Sequence, residues 1–591
     1  MRSHRQRRAP MEYRTDRERI ASLMSDEDRR FYKDIFAPTV VAAPDGDAWG
    51  NLTVMPDGEI RAYGTYRPKN VFDTDAERDY IASRDGGLSW KRHLVTEKST
   101  LGASVYIPRL GKYAIATSEE GKGTFLLLGN SPDDPSPERI RISEKAYFDL
   151  LPPLVLRKRD RVLLIGHEHR TALHPTAFFS VLMFSDGDLH AWHVLPLKPA
   201  PLFTPKPPHT GVRWQQNNRE NTIAELSDGR LMMLSRTATD FHYISYSEDG
   251  GENWSDPAPS TFHATATMPR LLRLSDGRLL FFWCNTQPLP EREDADGIWE
   301  DVFTNRDANH AAVSENDGKS WIGFREMVLN PHRNAPDYRS LGGSATGRDK
   351  SVHQFEALEL PEGKIMLSFG QHEACRRILI FDLRWLYETS RGENFLHGMH
   401  AISAQGYLES VLGCFRGSRE DPDSFVGHCA YNRVSTAVMM PSPADNGHEV
   451  LCLTSSDDPR RLTPLGGAVW NFPAAMRARV TIRLALKGQG LRISLLDRWL
   501  NPTDSTVAES AAFSFVLTKS MLPEKSLFAD LRLDFDCRTR ETRVFVNDMP
   551  LTVLSMQSSA PNGLCYLHLQ TLPDIKGAPG AMIASLSYKG I

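Results

Sequence analysis

Four side chains in the first 400 residues are our candidates for proton transfer: Glu220, Asp73, Asp75 and His353. A free imidazole has a pKa of about 6.5, so His353 can accept or donate a proton near neutral pH. Two carboxyl groups on opposite sides of a cavity can work as an acid and a base. We therefore ask whether the fold brings these residues together.

Arginine side chains accompany these groups. Arg236 follows Glu220 across one predicted turn, and Arg67 and Arg306 precede later turns. The planar guanidinium donates two parallel hydrogen bonds, which fit a carboxylate better than the point charge of lysine does. These residues predict a site for an anionic group.

A second cluster, His167-Glu168-His169, places two imidazoles on one face of a strand because side chains alternate along it. That spacing suits a metal ion, but a third ligand is not evident. Core or solvated histidines are the alternative. We expect no metal and no organic cofactor.

The elements that must position these residues are β-hairpins. A tight turn followed by an apolar strand recurs six times, roughly 50 to 85 residues apart. Asp-Gly and similar pairs supply the positive φ that short hairpins need. The turns are Pro56-Asp57-Gly58, Leu110-Gly111-Lys112, Arg159-Asp160-Arg161, Ser227-Asp228-Gly229, Ser275-Asp276-Gly277 and Pro361-Glu362-Gly363. Six such hairpins predict an all-β propeller with one sheet per blade.

A second repeat supports the first. The pattern S-x-D-x-G-x-x-W occurs at Ser83–Trp90 and Ser247–Trp254, with a near copy at Ser314–Trp321 and a degenerate one at Ser185–Trp192. Serine and aspartate side chains can bond the loop amides, glycine allows positive φ, and tryptophan packs the turn.

These turns resemble the Asp-boxes of the sialidase (BNR-repeat) superfamily, whose fold is a six-bladed β-propeller. The resemblance covers about residues 38–390. Asp-boxes are structural in that superfamily, so the resemblance gives them no catalytic role.

Blade topology sorts the candidate residues. In an up-and-down blade, the start of the first strand and the end of the second lie on one rim, here called the upper rim. The hairpin turns and the Asp-box turns lie on the opposite one. Ligand groups are expected on the upper rim. Besides the residues above, this places Asn221, Gln354 and His372 there as candidate substrate contacts.

The resemblance also implies roles for individual residues. The segment Arg219-Glu220-Asn221-Thr222 and the following strand match the sialidase segment that carries a buried glutamate and one arginine of a triad. This implies that Glu220 is the buried carboxylate and that Arg236 binds an anion. Arg306 resembles the next arginine of the triad, and the catalytic acid is expected on the loop holding Asp73 and Asp75.

Two departures from the family pattern matter. The segment Trp49-Gly50-Asn51-Leu52, where the first arginine of the triad is expected, contains no arginine. Arg67, further along the chain, is the candidate substitute. The nucleophilic tyrosine of sialidases is also missing, because its expected place holds Gln354 beside His353. Its absence puts the retaining mechanism through tyrosine in doubt.

Beyond about residue 395 the pattern changes to alternating strands, including RARVTIRLAL, RISLLD, AFSFVLT, DLRLDFD and TRVFVND. They predict a β-sandwich that resembles concanavalin-like or jelly-roll modules. A structural cap and a carbohydrate-binding module both remain open. The predicted organisation is a tail with a short helix at 1–37, the propeller at 38–395 and the sandwich at 396–591.

Composition excludes several classes of protein. The 591 residues are 40% hydrophobic and 24% charged with a net charge of −4, which argues against nucleic-acid or membrane partners. The basic N-terminus lacks the apolar core of a signal peptide, and seven cysteines form no metal or disulfide pattern. We expect a cytoplasmic protein of undetermined oligomeric state.

The leading hypothesis is a sialidase-like glycoside hydrolase that removes an acidic or deoxy sugar from a glycan terminus. Glu220 and Asp73 or Asp75 would transfer protons with help from His353, while Arg236 and Arg306 hold an anionic group. A polysaccharide lyase, in which His353 abstracts a proton next to a uronate carboxylate, is the first alternative. A glycan-binding propeller without turnover is the second.

Overall fold

A computed structural model describes most of the chain. The described residues are 36–45, 50–64, 79–95, 101–169, 178–204, 217–289, 305–334, 351–371, 373–411, 431–444, 447–524, 526–572 and 579–591. The expected N-terminal helix lies outside these residues.

The described residues between 39 and 382 form six four-stranded antiparallel sheets. The sixth sheet contains the first described strand of the chain, β1 (Thr39–Ala42). The first three complete sheets are β2 (Asn51–Val54), β3 (Ile60–Tyr63), β4 (Tyr80–Ser83) and β5 (Lys91–His93); β6 (Val105–Ile107), β7 (Lys112–Glu119), β8 (Gly123–Gly129) and β9 (Glu138–Ser143); and β10 (Leu154–Val155), β11 (Arg161–His169), β12 (Phe178–Asp186) and β13 (His193–Pro196). The next two are β14 (Asn217–Glu225), β15 (Leu231–Thr237), β16 (Phe241–Ser247) and β17 (Ala258–His263); and β18 (Arg270–Arg273), β19 (Leu279–Trp283), β20 (Ala308–Ser314) and β21 (Ile322–Leu329). The sixth is β22 (Glu356–Glu359), β23 (Lys364–Phe369), β24 (Arg377–Asp382) and β1.

The six predicted turns all join the first and second strands of these sheets. One face of the innermost strand of each sheet lines a common cavity of about 570 Å³. One lining residue from each sheet is Asn51, Val105, Leu154, Thr222, Leu271 and Ala357. Six sheets around one central cavity make a six-bladed β-propeller, as the hairpin repeat predicts.

The N-terminal strand completes the last blade. Strand β1 pairs antiparallel with β24, and Thr39 lies opposite Ile380 in that register. The first described strand of the chain is therefore the outermost strand of the sixth sheet. Because pairing the two ends of the ring removes a free edge, this arrangement stabilises the propeller.

The Ser247–Trp254 turn has the expected internal hydrogen bonds. Ser247 Oγ accepts from the Gly251 amide at 2.9 Å, and Asp249 Oδ1 accepts from the Glu252 and Asn253 amides at 3.0 Å. The indole Nε1–H of Trp254 donates to the Gly251 carbonyl at 2.9 Å. The turn is held by its own side chains and lies away from the upper rim.

The described residues from 390 onward, here called the sandwich unit, form two packed sheets and one separate hairpin. The strands are β25 (Ser390–Glu393), β26 (Ile402–Ser403), β27 (Gln405–Val411), β28 (Tyr431–Ser435), β29 (Ala437–Pro441), β30 (Glu449–Thr454), β31 (Gly467–Ala475), β32 (Arg477–Leu486), β33 (Gly490–Leu496), β34 (Phe513–Thr518), β35 (Ala529–Asp536), β36 (Glu541–Val546), β37 (Met549–Ser555), β38 (Leu564–Thr571) and β39 (Pro579–Gly590). One sheet has the order β29-β30-β39-β32-β35-β36-β37 with β25 beside β39, and the other has the order β26-β31-β38-β33-β34. Strands β27 and β28 form a separate hairpin.

Helical segments in the described residues are few and short. The described ones are 3₁₀ turns at Pro361–Gly363, Leu383–Tyr387 and Lys519–Met521 and an α-helix at Val507–Ser510. In the described part of the chain, no helix is long and apolar enough to cross a membrane.

Alternation builds the core of the sandwich. Strand β35 buries Leu531, Leu533 and Phe535, while the residues between them are half-buried. On the outer face, Arg479 and Asp534 form a two-pronged ion pair at 2.7 and 2.9 Å. The inward side chains join one hydrophobic cluster, as expected for a sandwich.

An aromatic cluster joins the propeller to the sandwich. Phe262 and Trp283 of the propeller share one buried core with Trp499 and Tyr566 of the second unit. Trp283, Trp499 and Tyr566 are fully buried. Because buried aromatic groups contribute strongly to the stability of an interface, this contact holds the two units in one arrangement.

The capped turn gives a stability prediction. Burial would raise the pKa of Asp249, but hydrogen bonds from Asn253, Ser247 and Glu252 lower it to about 2. Asp249→Ala should lower the thermal unfolding midpoint by about 2–4 °C at pH 7 because the loop amides lose their acceptor.

The control is Asp188→Ala in the degenerate copy, where the aspartate accepts one amide, that of His190. It should have a smaller effect. Since the folded-state pKa of Asp249 is depressed, its contribution is present above about pH 4 and is lost as the pH falls towards 2. Equal midpoints for the two variants at pH 7 would contradict this account.

Candidate functional site

The candidate site lies where β14 begins and β15 ends. The two strands pair antiparallel, and Arg219 lies opposite Arg236 in their register. Glu220 lies next to Arg219 in a stretch where the register shifts. The hairpin therefore brings one carboxylate and two guanidinium groups to the upper rim.

Glu220 is a buried carboxylate paired with a buried arginine. Its Oε2 accepts a hydrogen bond from Nη1 of Arg236, and both side chains are almost inaccessible to solvent. Burial would raise the pKa of Glu220, but the charges of Arg236, Arg219 and Arg306 lower it to about 2. Glu220 is therefore ionised at neutral pH.

Burial also acts on Arg236. It lowers the pKa of this guanidinium to about 10, while the charge of Glu220 opposes the change. Arg236 keeps its proton at neutral pH. The pair is thus a fixed carboxylate and a fixed cation in the interior of the protein.

Asp149 and Arg219 form a second ion pair beside the first. Arg219 Nε donates to Asp149 Oδ2 at 2.9 Å and lies 3.8 Å from Glu220 Oε1. Arg219 is mostly buried, yet the charges of Asp149 and Glu220 raise its pKa. This arginine links the third blade, which carries Asp149, to the fourth.

His167 is occupied on both ring nitrogens. Its Nδ1 lies 3.0 Å from the Asp149 carbonyl oxygen, and its Nε2 accepts from the Glu220 amide at 3.0 Å. These partners require a neutral ring with the proton on Nδ1. Burial lowers its pKa, which agrees with a neutral ring. His167 therefore supports the backbone of Glu220 and has no nitrogen left for the metal ion considered from the sequence.

Arg306 and His353 complete the group. Arg306 is fully buried, donates from Nη2 to the Ala266 carbonyl at 2.9 Å, and accepts through its own carbonyl from the Val352 amide at 3.0 Å. His353 is fully buried, with Nδ1 2.6 Å from Ser351 Oγ. Burial first, and then the charges of Arg306 and Arg236, hold the pKa of His353 well below its usual value, so the ring is neutral.

The backbone is strained at the entrance to four consecutive blades. Asp149, Glu220, Ala266 and Gln354 all have φ between 46° and 66°. A non-glycine residue in this region costs about 1–3 kcal/mol, and such residues cluster at ligand sites. Asp149, Ala266 and Gln354 lie two to five residues before the first strand of their blades, and Glu220 is the fourth residue of β14.

The remaining predicted residues have separate positions. Asn221 is buried and donates to Ser180 Oγ at 3.1 Å. Gln354 and Asn221 both line the central cavity. Asp73, Asp75, Arg67 and His372 lie outside the described residues. The structure thus brings Glu220, Arg236, Arg306 and His353 together, with Asn221 and Gln354 at the cavity.

Three supporting residues have no individual role in the sequence-based prediction, although Asp149 and Arg219 are among the polar residues that it places on the upper rim. They are Asp149, Arg219 and Ser351, which hold the side chains or backbone of the predicted group. Arg219 directly precedes Glu220, so its position in the sequence could have marked it as a neighbour of that carboxylate. Asp149 lies 70 residues from Arg219, and no local pattern marks that pairing.

A BNR repeat-like domain model matches residues 152–340. Among solved structures, the chain is similar to Trypanosoma rangeli sialidase in complex with sialic acid, at 12% identity, with 94% of each chain covered and a TM-score of 0.35. It is also similar to Penicillium chrysogenum alpha-L-arabinanase complexed with arabinobiose, at 12% identity, covering 60% of this chain and all of that one, with a TM-score of 0.36. No match was found among curated proteins.

The matched range runs from the third blade through the fifth. It confirms the BNR-type repeat that the turn motifs predict. Glu220, Arg236 and Arg306 all lie within it.

The ion pair at the centre of the site gives a prediction. Glu220→Gln should lower the thermal unfolding midpoint because it leaves Arg236 buried without its carboxylate, and Arg236→Gln should do the same for Glu220. The double variant should lose less than the sum of the two single losses, because each single change already breaks the pair. Differential scanning calorimetry measures the midpoints. Additive losses would show that the two side chains act independently.

Proposed function

We propose that the protein is a sialidase-like glycoside hydrolase that removes an acidic or deoxy sugar from a glycan terminus. The observation that carries this proposal is the grouping of three guanidiniums around the ionised Glu220, which itself lines the central cavity. Guanidinium groups bind carboxylates in a planar, two-pronged geometry. A sugar that carries a carboxylate has the charge and shape for such a site.

The ionised state of Glu220 assigns it a role. A carboxyl group with a pKa of about 2 holds no proton at neutral pH, so it serves as a base or as a negative charge. It can accept a proton from the attacking water, or stabilise the positive charge that develops on the sugar ring. In this proposal the leaving group receives its proton from Asp73 or Asp75, and Arg67 takes the place of the missing arginine.

Neutral His353 gives a second candidate function its support. Beside Arg306 and Arg236, an unprotonated imidazole can remove a proton next to a carboxylate that those arginines bind. Removal of that proton and elimination of the neighbouring glycosidic oxygen would leave an unsaturated uronate. This is the reaction of a polysaccharide lyase.

A panel of acidic glycans distinguishes the two reactions. The panel contains glycans ending in N-acetylneuraminate, glucuronate and galacturonate. New reducing ends or free sugar, without the ultraviolet absorbance of an unsaturated uronate, are expected for a hydrolase. Both signals together would indicate a lyase. Binding without either signal would contradict both enzymatic proposals.

The role of Glu220 can be tested against a matched residue on the same strand. Glu225 lies at the other end of β14, also lines the cavity, and accepts from the Arg157 and Lys158 amides. Glu220→Gln should reduce kcat by at least about 10²-fold, since the amide cannot accept a proton. Glu225→Gln should stay within a few-fold of the unchanged protein. Similar rates for the two variants would remove Glu220 from the mechanism.

His353→Gln tests proton transfer by the imidazole. In the hydrolase the imidazole only assists, so kcat should fall by about 10²-fold or less, whereas a lyase that depends on this base should lose all measurable turnover. Binding of the free acidic sugar, measured by calorimetry, should change little because His353 is neutral. A variant with unchanged kcat would show that His353 transfers no proton.

A further inference from the structure

A buried arginine of the second unit reaches the segment that carries Arg306. Arg433 lies on β28, is fully buried, and places Nη2 2.9 Å from Asp307 Oδ2. Asp307 directly follows Arg306 and is itself almost fully buried. Two charges that are both out of solvent interact strongly, and the loss of one leaves the other uncompensated.

Asp307 is also tied to the propeller. The Asn330 amide donates to its carbonyl at 2.7 Å, and Asn330 Nδ2 donates to Oδ1 at 3.0 Å. One carboxylate therefore receives a side chain from the fifth blade on one oxygen and a guanidinium from the sandwich unit on the other. These contacts fix the backbone of Asp307, which is directly bonded to Arg306.

A second contact between the two units holds strand β20, which begins directly after Asp307. His310 on β20 accepts through Nδ1 from the Asn285 amide at 3.0 Å, so its Nε2 carries the proton that it donates to Tyr566 Oη. Tyr566 Oη then donates to Glu326 Oε1 at 2.7 Å. Burial lowers the pKa of His310 to about 3, which keeps this ring neutral.

The neighbouring strand end is held in the same way. Asn285 Nδ2 donates to the Asp497 carbonyl at 2.9 Å, and the Trp499 amide donates to the Asn285 carbonyl at 3.0 Å. The fifth blade is thus bound to the sandwich near the upper-rim ends of both β19 and β20.

We propose that the sandwich unit positions Arg306, and that Arg433 is the positioning residue through which it does so. The inference rests on the proposed function, because it assigns Arg306 to an anionic ligand. Without Arg433, the buried Asp307 carboxylate would attract the adjacent Arg306 guanidinium and draw it away from the ligand. The second unit is then a part of the anion site.

The fifth blade offers a matched control. Arg325 on the outer strand β21 is also buried and donates to Glu388 at 2.6 Å. Arg325→Gln and Arg433→Gln each remove one buried arginine from an ion pair. Only the second change touches the residue next to Arg306.

The experiment compares the full-length variants in three measurements: the unfolding midpoint, the affinity for one acidic monosaccharide, and the hydrogen exchange of residues 305–310. The monosaccharide is whichever of N-acetylneuraminate, glucuronate and galacturonate the unchanged protein binds most tightly. Arg433→Gln should weaken binding at least about 10-fold and speed exchange in that segment. Arg325→Gln should lower the midpoint while leaving both other readings unchanged. Arg433→Lys, which keeps the charge, should recover part of the affinity and serves in place of Arg433→Gln if that variant does not fold.

Unchanged exchange at 305–310 in the Arg433 variants would overturn the positioning role. Equal losses of affinity in the Arg433 and Arg325 variants would overturn it too, because they would reflect general destabilisation. If the unchanged protein binds none of the three sugars, the proposed function fails. The exchange measurement then still decides whether Arg433 holds the segment.

Discussion

The ionised carboxylate of Glu220 in the interior of the protein is the constraint on which the site depends. A buried charge of this kind is stable only beside opposite charges and hydrogen-bond donors. Its guanidinium neighbours come from three places: the adjacent residue, the next strand of the same blade, and the following blade. The carboxylate can therefore be both buried and ionised only when the fourth and fifth blades are assembled in their correct register.

Support for this carboxylate extends outward in layers. His167 accepts a hydrogen bond from the Glu220 amide, and Asp149 pairs with Arg219, so the third blade holds the backbone of Glu220 and one of its guanidinium neighbours. The strained backbone at the blade entrances lies in the same region. Such conformations persist only where the surrounding structure enforces them. Rigid strands carrying strained entrances are well suited to fix charged groups before a ligand arrives.

Much of the fold is predictable from local sequence. Asp-Gly turns and the S-x-D-x-G-x-x-W pattern act within a few residues, and each marks its place along the chain. The pairing of β1 with β24 joins residues about 340 positions apart, and nothing in TVVA identifies its partner. For the site, the family resemblance identified Glu220, Arg236 and Arg306. The ion pairs of Asp149 with Arg219 and of Asp307 with Arg433 depend on blade and domain packing, which the sequence does not display.

The central claim is that these guanidinium groups form a site for a sugar carboxylate. The most direct measurement is calorimetric binding of an acidic monosaccharide and of its methyl ester, which differ in charge at one group. The account predicts that the acid binds at least about 10-fold more tightly than the ester. It also predicts that added salt weakens the binding of the acid and leaves the binding of the ester unchanged. Equal affinity for the two compounds would contradict it.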